Sequence, residues 1–96
     1  MENLVFLNLK KQYEEVFFYK TLQNLEVDFY IPARKLLYQV SHDITNEKTK
    51  EREVRSLFAA MQEINVKESF LLTTGEETII KNQAGTVYVL PAWKGG

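Results

Sequence analysis

The hydrophobic period of this chain changes from two to 3.6 near Asn46, which limits it to folds where a strand-rich segment meets a covering helix. Before the change, Leu25 to Pro32 alternates. Leu25, Val27, Phe29 and Ile31 are expected on one face of a strand, with Glu26, Asp28 and Tyr30 on the other. After it, Val54, Leu57, Phe58, Met61 and Ile64 recur at helical spacing behind a charged first half, Glu47 to Arg55. Residues from Asn46 to about Ile64 therefore read as an amphipathic helix, with Thr45 or Asn46 placed to cap its free N–H groups.

The remaining segments fit around this pair. Residues 3 to 12 read as a helix whose Leu4, Val5, Phe6, Leu7 and Leu9 point around most of the cylinder, so it needs cover on several sides. Glu14 to Thr21 carries the strand formers Val16, Phe17, Phe18 and Tyr19, and Gln23-Asn24 offers a turn. A second turn at Pro32-Ala33-Arg34-Lys35 leads into a strand over 36 to 42, completing a meander. Further strands are expected at Ser69 to Thr74, Thr78 to Lys81 and Thr86 to Leu90, with a turn around Gly75. The order is αβββαβ followed by a C-terminal hairpin, an α/β (α+β) domain with a mixed sheet. No Pro/Gly/Ser linker precedes Gly95-Gly96, so residues 1–96 form one domain.

Composition removes several function classes. The 96 residues contain no cysteine, which excludes disulfides, thiolate metal sites and a cysteine nucleophile, and suits a reducing cytoplasmic setting. A formal net charge of -1 provides no global basic field for nonspecific DNA binding. The N-terminal apolar run is too short for a secretory signal, and no run is long enough to span a membrane. There is no phosphate-binding Gly-x-x-x-x-Gly-Lys loop and no histidine pair for zinc.

The candidate chemistry lies on the second and third strands. A turn centred between Ala33 and Arg34 sets Asp28 opposite Gln39, with Ser41 further along the same face and Glu26 and Tyr30 beside it. This polar cluster depends on register, because Ala33-Arg34 lacks the glycine or asparagine of a tight two-residue hairpin turn.

An αβββαβ order with an aspartate on the second strand resembles the PD-(D/E)XK nuclease superfamily, which includes restriction endonucleases. Glu2-Asn3-Leu4-Val5, Glu26-Val27-Asp28-Phe29, Tyr38-Gln39-Val40-Ser41 and Thr49-Lys50-Glu51-Arg52-Glu53, in that order, resemble the domain of unknown function at the C-terminus of many bacterial and archaeal AAA-type ATPases. The resemblance implies a restriction-endonuclease-like core. It also implies that Glu2, Asp28, Gln39 and Ser41 stand where an active member would hold two metal-binding acids, a third acid and a lysine. Glutamine lacks the charge of the third acid and serine cannot supply a cation, so the electrostatic term that drives such catalysis is depleted. The implied state is noncatalytic, with Mg²⁺ or Mn²⁺ binding at Asp28 and Gln39 weak at most.

Plainer readings exist for each residue. Asp28 and Gln39 could be solvated or mutually hydrogen-bonded, and Glu2 could simply favour a helix N-terminus. Glu51, Arg52 and Glu53 could be a solvated helix face, and His42 beside Asp43 a structural strand end. The expected partner is an ATPase domain of the same polypeptide or a second copy in a homodimer. A nucleic-acid-binding module would need Lys10, Lys11, Lys20, Arg34 and Lys35 to converge.

Overall fold

Strand-forming segments and one strongly amphipathic helix build a six-stranded mixed sheet with a helix against each face. The computed structural model describes residues 2–41 and 47–95. Helix α1 spans Glu2–Gln12, β1 Phe17–Lys20, β2 Glu26–Ile31, β3 Leu36–Val40, α2 Glu47–Ile64, β4 Glu68–Thr73, β5 Thr78–Asn82, β6 Gly85–Pro91 and the short α3 Ala92–Gly95. The strand order is β1-β2-β3-β4-β6-β5. The first three strands form the expected antiparallel meander, α2 carries the chain across to β4, and β4 runs parallel to both β3 and β6. His42, Asp43 and the capping candidates Thr45 and Asn46 lie outside the described residues.

The α2 stripe is the one its periodicity indicates. Leu57, Ala60 and Met61 are buried against Val27, Leu37, Val66, Leu71, Val87 and Val89, with Val54, Phe58 and Ile64 at the margin. The helix stops at Asn65, whose φ of 56° is one asparagine tolerates, and the Val66 N–H returns to the Met61 carbonyl at 3.0 Å. On the other face Val5 and Leu9 of α1 pack with Phe29, Ile31, Tyr38, Val40 and Leu72. This core covers α1 on one side only: Leu4 remains 68 % exposed and Leu7 55 %. The expected cover on several sides is not supplied by the described residues.

Four details depart from the sequence reading. First, the 25–31 segment does not hold one alternation. Tyr19 pairs with Val27 but Phe17 pairs with Tyr30, so Asp28 and Phe29 together oppose Phe18, which is a β-bulge. The extra residue puts Val27 in the core beneath α2, whereas Phe29 and Ile31 belong to the core beneath α1. Second, β1 is shorter than Glu14 to Thr21. Third, the C-terminal hairpin is not an appendage, because β6 inserts between β4 and the edge strand β5. Gly85 permits this: at φ 147° a Cβ would collide with the Lys67 carbonyl, to which the Thr86 N–H bonds at 2.9 Å. Fourth, Ala92–Gly95 forms the short helix α3, which no hydrophobic period in the sequence marks.

The β2–β3 connection resolves the register. Ile31 pairs with Leu36 across a four-residue loop in which Lys35, at φ 52°, takes the left-handed position usually given to glycine or asparagine. Phe29 then faces Tyr38 and Tyr30 faces Leu37, the register of a turn centred between Ala33 and Arg34. No described helix is long and apolar enough to cross a membrane.

Tyr38, Phe70 and Tyr88 stack across β3, β4 and β6, with ring centroids 4.9 and 5.4 Å apart. Burial pushes the Tyr38 hydroxyl up to about 12 from an ordinary 10.0, with Tyr13 adding to the effect. Between those values the unfolded chain has released the Tyr38 proton while the folded chain retains it, so stability falls as pH rises from 10.0 to about 12. Tyr38→Phe should flatten that decline in alkaline denaturation, although Tyr19, held near 12 mainly by its hydrogen bond to Glu63, adds its own slope. Leu57→Ala should lower the unfolding free energy by about 2–5 kcal/mol in urea titrations, since Leu57 is wholly buried at the centre of the α2 contact.

Candidate functional site

Beyond the Phe29–Tyr38 pair the backbone ladder between β2 and β3 ends, and side chains take over its hydrogen bonds. The Gln39 Oε1 accepts from the Asp28 N–H at 2.7 Å, and its Nε2 donates to the Glu26 carbonyl at 2.9 Å. In return Asp28 Oδ2 accepts from the Val40 N–H at 2.9 Å. A bulged strand cannot keep its ladder in step, and a primary amide offers both the donor and the acceptor that the displaced peptide groups require. Asp28 can supply only acceptors and so serves the remaining N–H.

This clamp forms the floor of a groove of about 490 Å³ between the ends of β2 and β3 and the first half of α2. Glu26, Asp28, Gln39 and Ser41 line it from the sheet, and Thr49, Arg52, Glu53 and Ser56 from the helix. Asp28, Gln39 and Ser41 thus line one groove, as the β2–β3 register implies, and Arg52 joins them from α2. Tyr30 is absent from the lining and packs edge-on to Tyr19 at 6.0 Å. Glu2 opens α1, which packs on the opposite face of the sheet, and its side chain is outside the described ones. Thr49 entered the sequence reading only as part of the Thr49–Glu53 motif, and Ser56 not at all. Their signal is a polar recurrence at 49, 52 and 56 running alongside the apolar stripe of α2.

Gln39 is only 4 % exposed, so it is not a solvated residue on an outer face. Ser41 is 2 % exposed and its hydroxyl has no hydrogen-bond partner among the described residues, the one such buried side-chain atom found there. Arg52 extends toward solvent, with Nε 4.0 Å from Glu53 Oε1, and its carbonyl receives the Ser56 hydroxyl at 3.0 Å. The donor set does not suit a metal centre. The Gln39 oxygen and one Asp28 oxygen already accept from backbone N–H groups, and no group of three or more His, Asp or Glu side chains among the described residues is placed to hold a cation.

The family model described as a domain of unknown function (DUF4143) matches residues 1–94. The chain belongs to this family. The DUF4143 chain is also 34 % identical, over an alignment 104 positions long, to an uncharacterized protein of Methanocaldococcus jannaschii, a match that covers 98 % of the chain and 23 % of that relative. The chain thus spans about a quarter of the curated relative it matches. No solved structure matches it.

The clamp gives a direct test. Gln39→Leu leaves a part-buried N–H and carbonyl unpaired and should cost about 1–3 kcal/mol, read as a lower urea midpoint. Ser41→Ala removes a buried hydroxyl that has no partner among the described residues and should leave the midpoint unchanged or raise it.

Proposed function

We propose that this DUF4143 domain is a noncatalytic, cytoplasmic accessory module of a larger AAA-type ATPase, built on a degenerate restriction-endonuclease-like core. Its partner is the ATPase domain of the same polypeptide or a second copy of itself. The observation that carries the reading is the use of Gln39. At the position where a nuclease would place its third acid, the side chain serves as a backbone clamp, with both ends of its amide committed. Ser41, where the lysine would be, is buried and bears no charge.

Two further facts support an interaction role. The chain is a small part of a longer relative, as expected of a module. Leu4, Leu7, Phe17 and Phe18 leave apolar surface on α1 and β1, the kind of surface that domain contacts use. The basic residues Lys10, Lys11, Lys20, Arg34 and Lys35 are divided among α1, β1 and the β2–β3 turn, which gives less support to a nucleic-acid-binding module.

The test pairs cleavage with metal titration. The wild-type chain should cut neither single- nor double-stranded DNA with Mg²⁺ or Mn²⁺. In calorimetric titration, Gln39→Glu combined with Ser41→Lys should bind Mn²⁺ more tightly than wild type, and adding Asp28→Asn should reverse the gain. Equal affinity in all three would remove the nuclease ancestry of the groove. Wild-type cleavage abolished by Asp28→Asn would overturn the proposal in favour of a metal-dependent nuclease.

A further inference from the structure

A second groove, on the same face of the sheet but at its far edge, is built differently. It runs between α2 and the edge strand β5 and encloses about 440 Å³. Val54, Phe58 and Ile80 contribute its apolar part, while Glu47, Glu51 and Arg55 stand along the helical side. Lys50 also lines it but is ion-paired with Glu76.

The strand beside this groove has a free side. Among the described residues β5 pairs only with β6, through five consecutive antiparallel pairs from Thr78–Val89 to Asn82–Gly85. Alternate N–H and C=O groups of such a strand point away from its neighbour, where another extended chain can complete them. The other edge is less suited, because β1 has four residues and its pairing with β2 is interrupted by the bulge. The β5 ladder has neither bulge nor proline.

We infer that the β5 edge and the Val54–Phe58–Ile80 groove together form a docking site for an extended peptide segment of another protein domain, added to the sheet as a seventh strand. A strand laid beside β5 at a spacing of roughly 4.8 Å directs every second side chain toward α2, so apolar residues at alternate positions enter the groove. Once Lys50 is neutralised by Glu76, the carboxylates of Glu47 and Glu51, one helical turn apart, outnumber Arg55. The peptide chemistry that fits is therefore apolar alternation with a lysine or arginine beside it. The inference rests on the noncatalytic interaction reading and gives it a partner class. DNA cleavage by the wild type would sink that reading without touching peptide binding, whereas the results below bear on the peptide site alone.

The probes are short synthetic peptides in which isoleucine, valine or phenylalanine alternates with threonine and lysine, titrated into the ¹⁵N-labelled full chain. Binding should shift and protect the amides of β5 from hydrogen exchange and perturb Val54 and Phe58. A backbone N-methylated copy of the best peptide keeps its side chains but loses its donors, and should bind at least tenfold more weakly. Glu51→Lys, at an exposed helical position that leaves the core intact, should weaken binding several-fold and reduce its salt dependence. Perturbations mapping elsewhere, equal affinity for the N-methylated copy, or no binding by any alternating peptide at about 1 mM would each overturn the inference. So would self-association through β5 that the peptides cannot displace, which would make a second copy the occupant.

Discussion

The Gln39 amide substitutes for a stretch of β-ladder, and the arrangement of the first groove depends on that substitution. A bulge lengthens β2 relative to β1 at Asp28 and Phe29, and the ladder between β2 and β3 stops at the Phe29–Tyr38 pair. Without a replacement, the Asp28 N–H and Glu26 carbonyl would be stranded at the sheet margin, a loss that folded proteins rarely tolerate. Gln39 supplies both partners at once, and Asp28 supplies the third. The two residues that look most like remnants of chemistry therefore hold two strands together where their backbones separate.

What the sequence reveals follows from the range over which each signal acts. The α2 stripe is local and strongly periodic, and Val54, Leu57, Phe58 and Met61 face the sheet as their spacing indicates. The polar cluster was legible because a single turn fixes the β2–β3 register, and Lys35 meets its conformational demand without glycine. The bulge was not legible. Leu25 to Ile31 has a sound period of two, and only the competing register with β1 reveals the extra residue. The insertion of β6 beside β4 was hidden for a related reason: Thr86 to Leu90 indicates a strand but carries no information about which neighbour it chooses. Gly85 marked the place, since its close approach to Lys67 is what permits the insertion.

Two of the grooves along α2 show how one helix can serve different surfaces. Thr49, Arg52, Glu53 and Ser56 turn toward the β2–β3 opening, whereas Glu47, Glu51, Val54 and Phe58 turn toward β5. The charged first half of the helix borders both grooves, with Glu51 and Arg52 exposed to solvent. Its residues divide between a polar groove floored by a backbone clamp and an apolar groove beside a strand edge, while Leu57 and Met61 fix the helix between them.

The placement of β6 also constrains how the sheet can be assembled. An outer strand normally joins a sheet that is already complete beneath it, yet β5 precedes β6 in the chain and lies outside it. The edge strand has nothing to join until the later segment is in place, and that segment must pair with β5 on one side and with β4 on the other. As the chain emerges from a ribosome, β1 to β4 and both large helices can collapse together while Thr78 to Asn82 waits unattached. Closure of the sheet thus waits for the β5–β6 hairpin to dock on β4, and a nascent chain halted before Gly85 would lack two strands rather than one.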